Sequence, residues 1–175
     1  MKKIILLFCL LAATPAIAQL TDSTFYGNIK AGMLKSEYER NISETRVRII
    51  NDEYALLPVF HKGQELTELN MESEPLADYS LIEKKMLALY EVISTKYGRA
   101  NTLSLISDPN TIPYEGKAVI TYWDLGKKHV SIGARRVGNM YVAVYNVYIK
   151  DYEELLTDRD NDREQKARKE AGTKF

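Results

Sequence analysis

The sequence predicts an α+β fold: an antiparallel sheet built from two helix-plus-three-strand units, the helices packed on one face, with a charged helical or disordered tail at the C-terminus. Three observations predict it. Short alternating runs separated by turn residues fall in two groups of three, which is the pattern of antiparallel meanders. One long segment, Leu81 to Tyr97, places Ile82, Met86, Leu89, Tyr90, Ile93 and Tyr97 on a single face at helical spacing. A shorter helical stretch, Lys35 to Asn41, precedes the first group as the long one precedes the second.

Taken in order, the chain opens with Lys2 and Lys3, the uncharged run Ile4 to Ala13, and the small-residue pattern Ala16-Ile17-Ala18 before Gln19. These are the parts of a secretory signal peptide over residues 1–18, and a ten-residue apolar core is too short for a bilayer of about 30 Å. The expected product starts at Gln19 and is periplasmic or extracellular. The single cysteine, Cys9, falls inside the signal, so the mature chain has no thiol and its stability must come from a hydrophobic core. Residues 19–156 are long enough for one such domain.

Phe25 to Ile29 reads as a short strand, and Gly32-Met33 leads into the helix at Lys35 to Asn41. Glu44 to Ile50 is a strand with Val47 and Ile49 on one face, followed by an Asn51-Asp52 turn. Glu53 to His61 is a second strand in which Pro58 indicates an edge or a bulge, because proline cannot donate to a ladder. Lys62-Gly63 turns the chain into Glu65 to Glu72, where strict alternation sets Leu66, Glu68 and Asn70 against Thr67, Leu69 and Met71. The first unit spans about residues 25–77 and the second 78–149.

Ser80 and Glu83 have capping-box spacing at the head of the long helix, and Gly98 supplies its C-terminal stop. Arg99 to Gly116 is a long connection that must cover something in so small a domain. Lys117 to Trp123, Lys128 to Arg136 and Met140 to Ile149 form the second meander; the last, rich in valine and tyrosine, suits a central strand buried on both faces. Beyond Asp151, Tyr152, Leu155 and Leu156 could dock one helical turn, and 157–175 is a solvated charged helix or frayed tail.

Gly32-Met33 before the first helix, Tyr97-Gly98 after the second and Trp123 at a strand end sit in this twofold pattern as they do in a known architecture. In outline the chain resembles the small α+β repeat of beta-lactamase-inhibitor-like proteins and of outer-membrane assembly lipoproteins that share their shape. The resemblance implies a binding or assembly role rather than catalysis, and transfers no functional residue.

Composition narrows the function. Removing Lys2 and Lys3 leaves 22 basic against 24 acidic residues, which argues against a nucleic-acid or membrane-surface binder. Residues 44–91 hold ten acidic and five basic residues, whereas 117–150 hold six basic residues and only Asp124 opposing them; complementary faces within the fold are the expected reason. His61 and His129 each lack a second ligand at metal-binding spacing. No serine sits in G-x-S-x-G or has lysine three residues later, and the glycine-lysine pairs lack the rest of a phosphate loop. Asp158, Asp160 and Asp162 imitate the start of a calcium loop, but Arg163 stands where glycine is needed and Lys169 where a bidentate glutamate belongs. No metal and no cofactor is expected. Asn41-Ile42-Ser43 fits the N-glycosylation sequon and Asp22-Ser23-Thr24 a short O-glycosylation signal.

The remaining feature is aromatic density among cations: Tyr122, Trp123, Tyr141, Tyr145 and Tyr148 share a segment with Lys127, Lys128, His129, Arg135 and Arg136. Exposed rings beside cations can stack on sugars and hold anions, although buried strands are also where such rings belong. The expected binding face carries His129, Arg135, Tyr141 and Tyr145, adjoined by Lys127 and Lys128, with Val130, Ile132, Val142 and Val144 turned inward. The expected function is an exported, non-enzymatic binding or assembly protein of the bacterial envelope, its partner an envelope protein or a glycan. The alternatives are a small secreted hydrolase of glycan or peptide, which needs two carboxylates in a cleft, and an inhibitor of a secreted enzyme.

Overall fold

Two hydrophobic periodicities, the alternation of the strands and the helical stripe of the long helix, meet in one core. A computed structural model describes residues 24–100 and 102–150. The signal segment, Asp22-Ser23, the aspartate triplet, Tyr152, Leu155, Leu156 and the 157–175 tail lie outside the described residues. The elements run β1 (Thr24–Tyr26), β2 (Ile29–Lys30), α1 (Lys35–Asn41), β3 (Arg46–Ile49), β4 (Asp52–His61), β5 (Glu65–Ser73), α2 (Tyr79–Tyr97), β6 (Thr102–Leu103), a 3₁₀ turn (Pro109–Thr111), β7 (Ala118–Leu125), β8 (Lys128–Val137) and β9 (Met140–Ile149).

β3 to β9 form one antiparallel sheet of seven strands in the order β3-β4-β5-β9-β8-β7-β6, and β1 and β2 form a separate hairpin. The two meanders are therefore joined back to back through their third strands, β5 and β9. The fold is α+β, as the sequence pattern predicts. One sheet face carries Val47, Ile49, Tyr54, Leu56, Leu69, Met71, Val130, Ile132, Tyr145 and Val147, all buried, and receives Ile82, Met86, Leu89 and Ile93 of α2. Tyr38 of α1 meets Phe60 edge to face at 5.6 Å on the same side. The opposite face carries no described helix.

Several elements differ from the sequence reading for identifiable reasons. Phe25 to Ile29 is not one strand but a hairpin, because Gly27 takes φ +53° and reverses the chain. The first meander turns at Ile50 and Asn51, since Ile49 pairs with Asp52. Ile50 holds the left-handed φ of +57°, which a β-branched residue adopts only under strain. In β5 the register shifts where Val59 pairs with Glu68 but Phe60 pairs with Leu66. Thr67 is the extra residue of a bulge, and it brings Leu66 onto the buried side with Leu69 and Met71. The cap of α2 is Asp78, whose carboxylate accepts from the Ser80 amide at 2.9 Å, rather than the Ser80 and Glu83 box.

Other expectations hold in detail. Gly98, at φ +79°, ends α2, and the Trp123 indole donates to its carbonyl at 2.9 Å, tying the helix end to β7. The amide of Leu56 donates to Thr45, so by alternation the nitrogen of Pro58 points to the same side, past the end of β3. The long connection drives Ile112 into the core at 1% exposure. Strand β9 is buried continuously from Tyr141 to Val147.

Gly133 of β8 lies against a second register shift, between Val119 and Thr121 of β7. A Cβ at Gly133 would stand 2.3 Å from the Ala118 carbonyl oxygen, a backbone atom that no rotamer change can move. Gly133→Ala is expected to cost about 1–3 kcal/mol, the usual scale for overpacking, read as a lower denaturation midpoint in urea. Ile50→Gly is expected to do the reverse, gaining about 1 kcal/mol by relieving the left-handed strain at a side chain that is 53% exposed. An unchanged midpoint for either variant contradicts its part of this account.

Candidate functional site

The register of β8 against β9 decides which side chains share a face. Lys128 pairs with Ile149 and Arg136 with Tyr141, so odd-numbered residues of β8 stand beside even-numbered residues of β9. His129 and Arg135 accordingly lie on the helix-free face beside Tyr148 and Val142, whereas Tyr141 and Tyr145 point to the helix side, 9% and 2% exposed. Val130 and Ile132 do turn inward, but Val142 and Val144 face the opposite way. Lys128 is also on the helix side, 3% exposed, where its Nζ donates to the Thr24 carbonyl at 3.3 Å and lies 3.4 Å from the Tyr97 hydroxyl. Lys127 is exposed in the β7–β8 turn. The structure thus places two of the predicted residues, His129 and Arg135, on one face but about 20 Å apart along β8, turns Tyr141, Tyr145 and Lys128 to the other face, and leaves Lys127 in the adjoining turn.

His129 belongs to a polar and aromatic face on β5, β9, β8 and β7, bordered by apolar residues of β4. One row aligns Val59, Glu68, Tyr148, His129 and Asp124, from β4, β5, β9, β8 and β7. The next aligns Leu57, Asn70, Asn146, Ser131 and Tyr122. In the first row the His129 ring lies 4.9 Å from that of Tyr148 and stacks on Tyr122 from the second at 5.5 Å and 15°. In the second row the Asn146 amide donates to Glu68 Oε1 at 2.6 Å and to Asn70 Oδ1 at 2.9 Å. The Asn70 amide also donates to Glu68 at 2.9 Å, and the Ser131 hydroxyl reaches Asn146 Oδ1 at 3.4 Å. Asn146 and Ser131 are 1% and 2% exposed, so these bonds satisfy groups that would otherwise be costly to bury.

Charge closes the face on both sides. Arg135 on β8 reaches across β9 to Glu72 on β5 with two parallel bonds of 2.8 and 2.5 Å, passing over Val142 and Val144. Glu72 holds the Arg135 guanidinium above its ordinary pKa. Asp124 accepts from Lys150 at 2.6 Å, and this bond holds its carboxyl below the usual range. Burial lowers the Lys117 ammonium, with Glu68 opposing. The acidic first meander and basic second meander therefore complement each other within the fold, at Glu72–Arg135 and where Lys117 approaches Glu68.

His129 is at the centre of this arrangement. Burial depresses its pKa, Lys150 and Lys117 reinforce the shift, and Asp124 opposes it. Its buried Nδ1 has no hydrogen-bond partner among the described residues.

The sequence reading did not reach Glu68, Asn70, Asn146 or Lys117. Asn146 left the clearest trace, as the only amide in the otherwise apolar and aromatic run Tyr141 to Ile149. Chemically the face suits recognition. Glu72 and Asp124 are neutralised by cations, and the carboxylates with resolved shifts, Asp78 and Asp124, are both lowered, opposite to what a general acid needs. Among the described residues no group of three or more His, Cys, Asp or Glu is placed to hold a metal ion. The Asn41-Ile42-Ser43 sequon ends α1 and lines a cleft of about 240 Å³ with Tyr26, Asn28 and Glu44.

No family model matches the chain, and no curated protein or solved structure matches it.

The depressed His129 fixes the sign of a pH effect. Above the ordinary value of 6.5 both folded and unfolded chains carry neutral imidazole, and the group contributes no pH dependence. Below it the unfolded chain binds a proton that the folded one resists, so this contribution weakens as pH falls from 6.5 toward the depressed value. Thermal melts at pH 7.5 and pH 5 are expected to show a larger loss for the wild type than for His129→Gln; equal losses would remove the assignment.

Proposed function

We propose that the protein is an exported, non-enzymatic binding or assembly protein of the bacterial cell envelope that engages its partner, an envelope protein or a glycan, through the helix-free face of the sheet. The observation that carries this reading is the pairing of aromatic rings with amides and charges over four adjacent strands. Tyr122, His129 and Tyr148 stand beside Glu68 and Asn70, which the buried Asn146 holds in place, on a face that no described helix covers. Rings and amides fixed on rigid strands lose little freedom on binding, and tyrosine supplies contact area with a hydroxyl handle. The signal-like residues 1–18 support export, and the outline resemblance to inhibitor-like and assembly-lipoprotein repeats points to the same class.

The hydrolase alternative is weaker because the carboxylates on this face are consumed by Arg135, Lys150 and the Asn70 and Asn146 amides. No described observation favours the inhibitor alternative.

The test is capture from the envelope fraction of the native organism, using tagged Gln19–Phe175 with light crosslinking, in parallel with His129→Ala and Tyr148→Ala chains shown to melt cooperatively. A partner or glycan held by the wild type and reduced at least about tenfold by either variant, equivalent to about 1.4 kcal/mol, is the expected result. A partner held equally by all three chains would move the binding surface elsewhere, and glycan or peptide cleavage by the wild type would replace the reading with the hydrolase.

A further inference from the structure

Arginines of this sheet are neutralised, with one exception. Arg46 holds Glu74 at 3.1 Å, Arg48 holds Glu53 at 3.1 Å and Arg135 grips Glu72. Arg136, next to Arg135 but on the opposite side of β8, has no carboxylate at ion-pair distance among the described residues, and its Nε–H is buried without a partner. Its guanidinium instead lies over the Tyr114 ring at 4.2 Å and 5.7 Å from the Tyr141 ring centre. Tyr79, edge to face with Tyr141 at 5.5 Å, contributes a second buried donor without a partner, its hydroxyl.

Stacking a guanidinium on aromatic rings orients its plane and leaves its edge for an acceptor, which is the arrangement that suits a carboxylate fork. A buried charged donor left unpaired costs more than a neutral one. The surroundings indicate what kind of molecule supplies the acceptor. Tyr114 is 65% exposed. Arginine and tyrosine are among the residues enriched at protein interface centres, and the exposed Tyr114 ring offers an apolar contact that a free inorganic anion cannot use.

We infer that the Arg136 rim, formed by Arg136, Tyr79 and Tyr114, is a docking point for a protein partner that presents an aspartate or glutamate carboxylate beside an apolar side chain. The inference rests on the proposed binding role and deepens it by narrowing the partner to a protein. It lies on the helix side, away from the His129 face, so each can fail without the other.

The experiment titrates isotope-labelled Gln19–Phe175 with acetyl-Phe-Glu-amide, its Phe-Gln counterpart and inorganic phosphate, following arginine Nε–H and tyrosine ring signals. The glutamate peptide is expected to shift Arg136 and Tyr114 saturably in the millimolar range, the glutamine peptide and phosphate to leave both unmoved, and Arg136→Lys to weaken the effect at least threefold despite keeping the charge. A response no different from that of Arg40 and Arg99 overturns the inference, as does an equal response to phosphate, which would mark a small-anion site. Because the wild-type chain supplies the primary readout, a misfolded variant does not shield the proposal.

Discussion

Strand β9 is the constraint on which the rest of the structure depends. It joins the two meanders by pairing with β5 on one side and β8 on the other, and seven consecutive residues from Tyr141 to Val147 are buried. A strand covered on both faces can be apolar throughout, and this one nearly is. Asn146 is the departure. Its amide bonds to Glu68 and Asn70 fix β5 against β9, because a slip of one residue would carry Asn146 to the helix side and leave those groups unpaired in the core. A polar residue thereby specifies the register that the valines and tyrosines around it leave undetermined.

The proposed sites follow from that register together with the register of β8 against β9. The combination aligns His129 with Tyr148 and Ser131 with Asn146, and it sets Arg135 and Glu72 on either side of β9 at a separation their side chains can span. It also turns Arg136 to the other side, toward Tyr141 and Tyr114. Two adjacent arginines thus have opposite situations, one clamped to a carboxylate and one resting on rings. The helix side is closed by α2, which Asp78 starts, Gly98 ends and the Trp123 indole holds in place.

How much of this was legible depended on how much amplitude each pattern carried. The stripe of α2 has strong contrast between Ile82, Met86, Leu89, Ile93 and the polar residues between them, and its position was readable to within two residues. The strand set and its grouping were readable because glycine and asparagine turns punctuate it. The phase of β5 was not, since nothing in Leu66-Thr67-Glu68 announces a bulge; the shift appears only when Phe60 and Leu66 must share a core. The pairing of faces in β8 and β9 failed for the opposite reason. Both faces of β9 are apolar or aromatic, so alternation there has little contrast, and only the two-residue turn at Gly138-Asn139, with Val137 opposite Met140, defines which residues meet. His129, Tyr122 and Tyr148 of the proposed face could be singled out, but its grouping could not, because its members come from β5, β7, β8 and β9, which no sequence spacing relates.

The central claim is that the helix-free face is the surface the partner meets. A photoreactive amino acid placed at Tyr148, or in a second chain at Glu91 on the exposed side of α2, tests it in intact cells of the native organism after brief illumination. The account predicts a discrete covalent adduct from position 148 and none from position 91. An adduct from position 91 alone, or none from 148 under conditions in which the chain is captured with a partner, would contradict it.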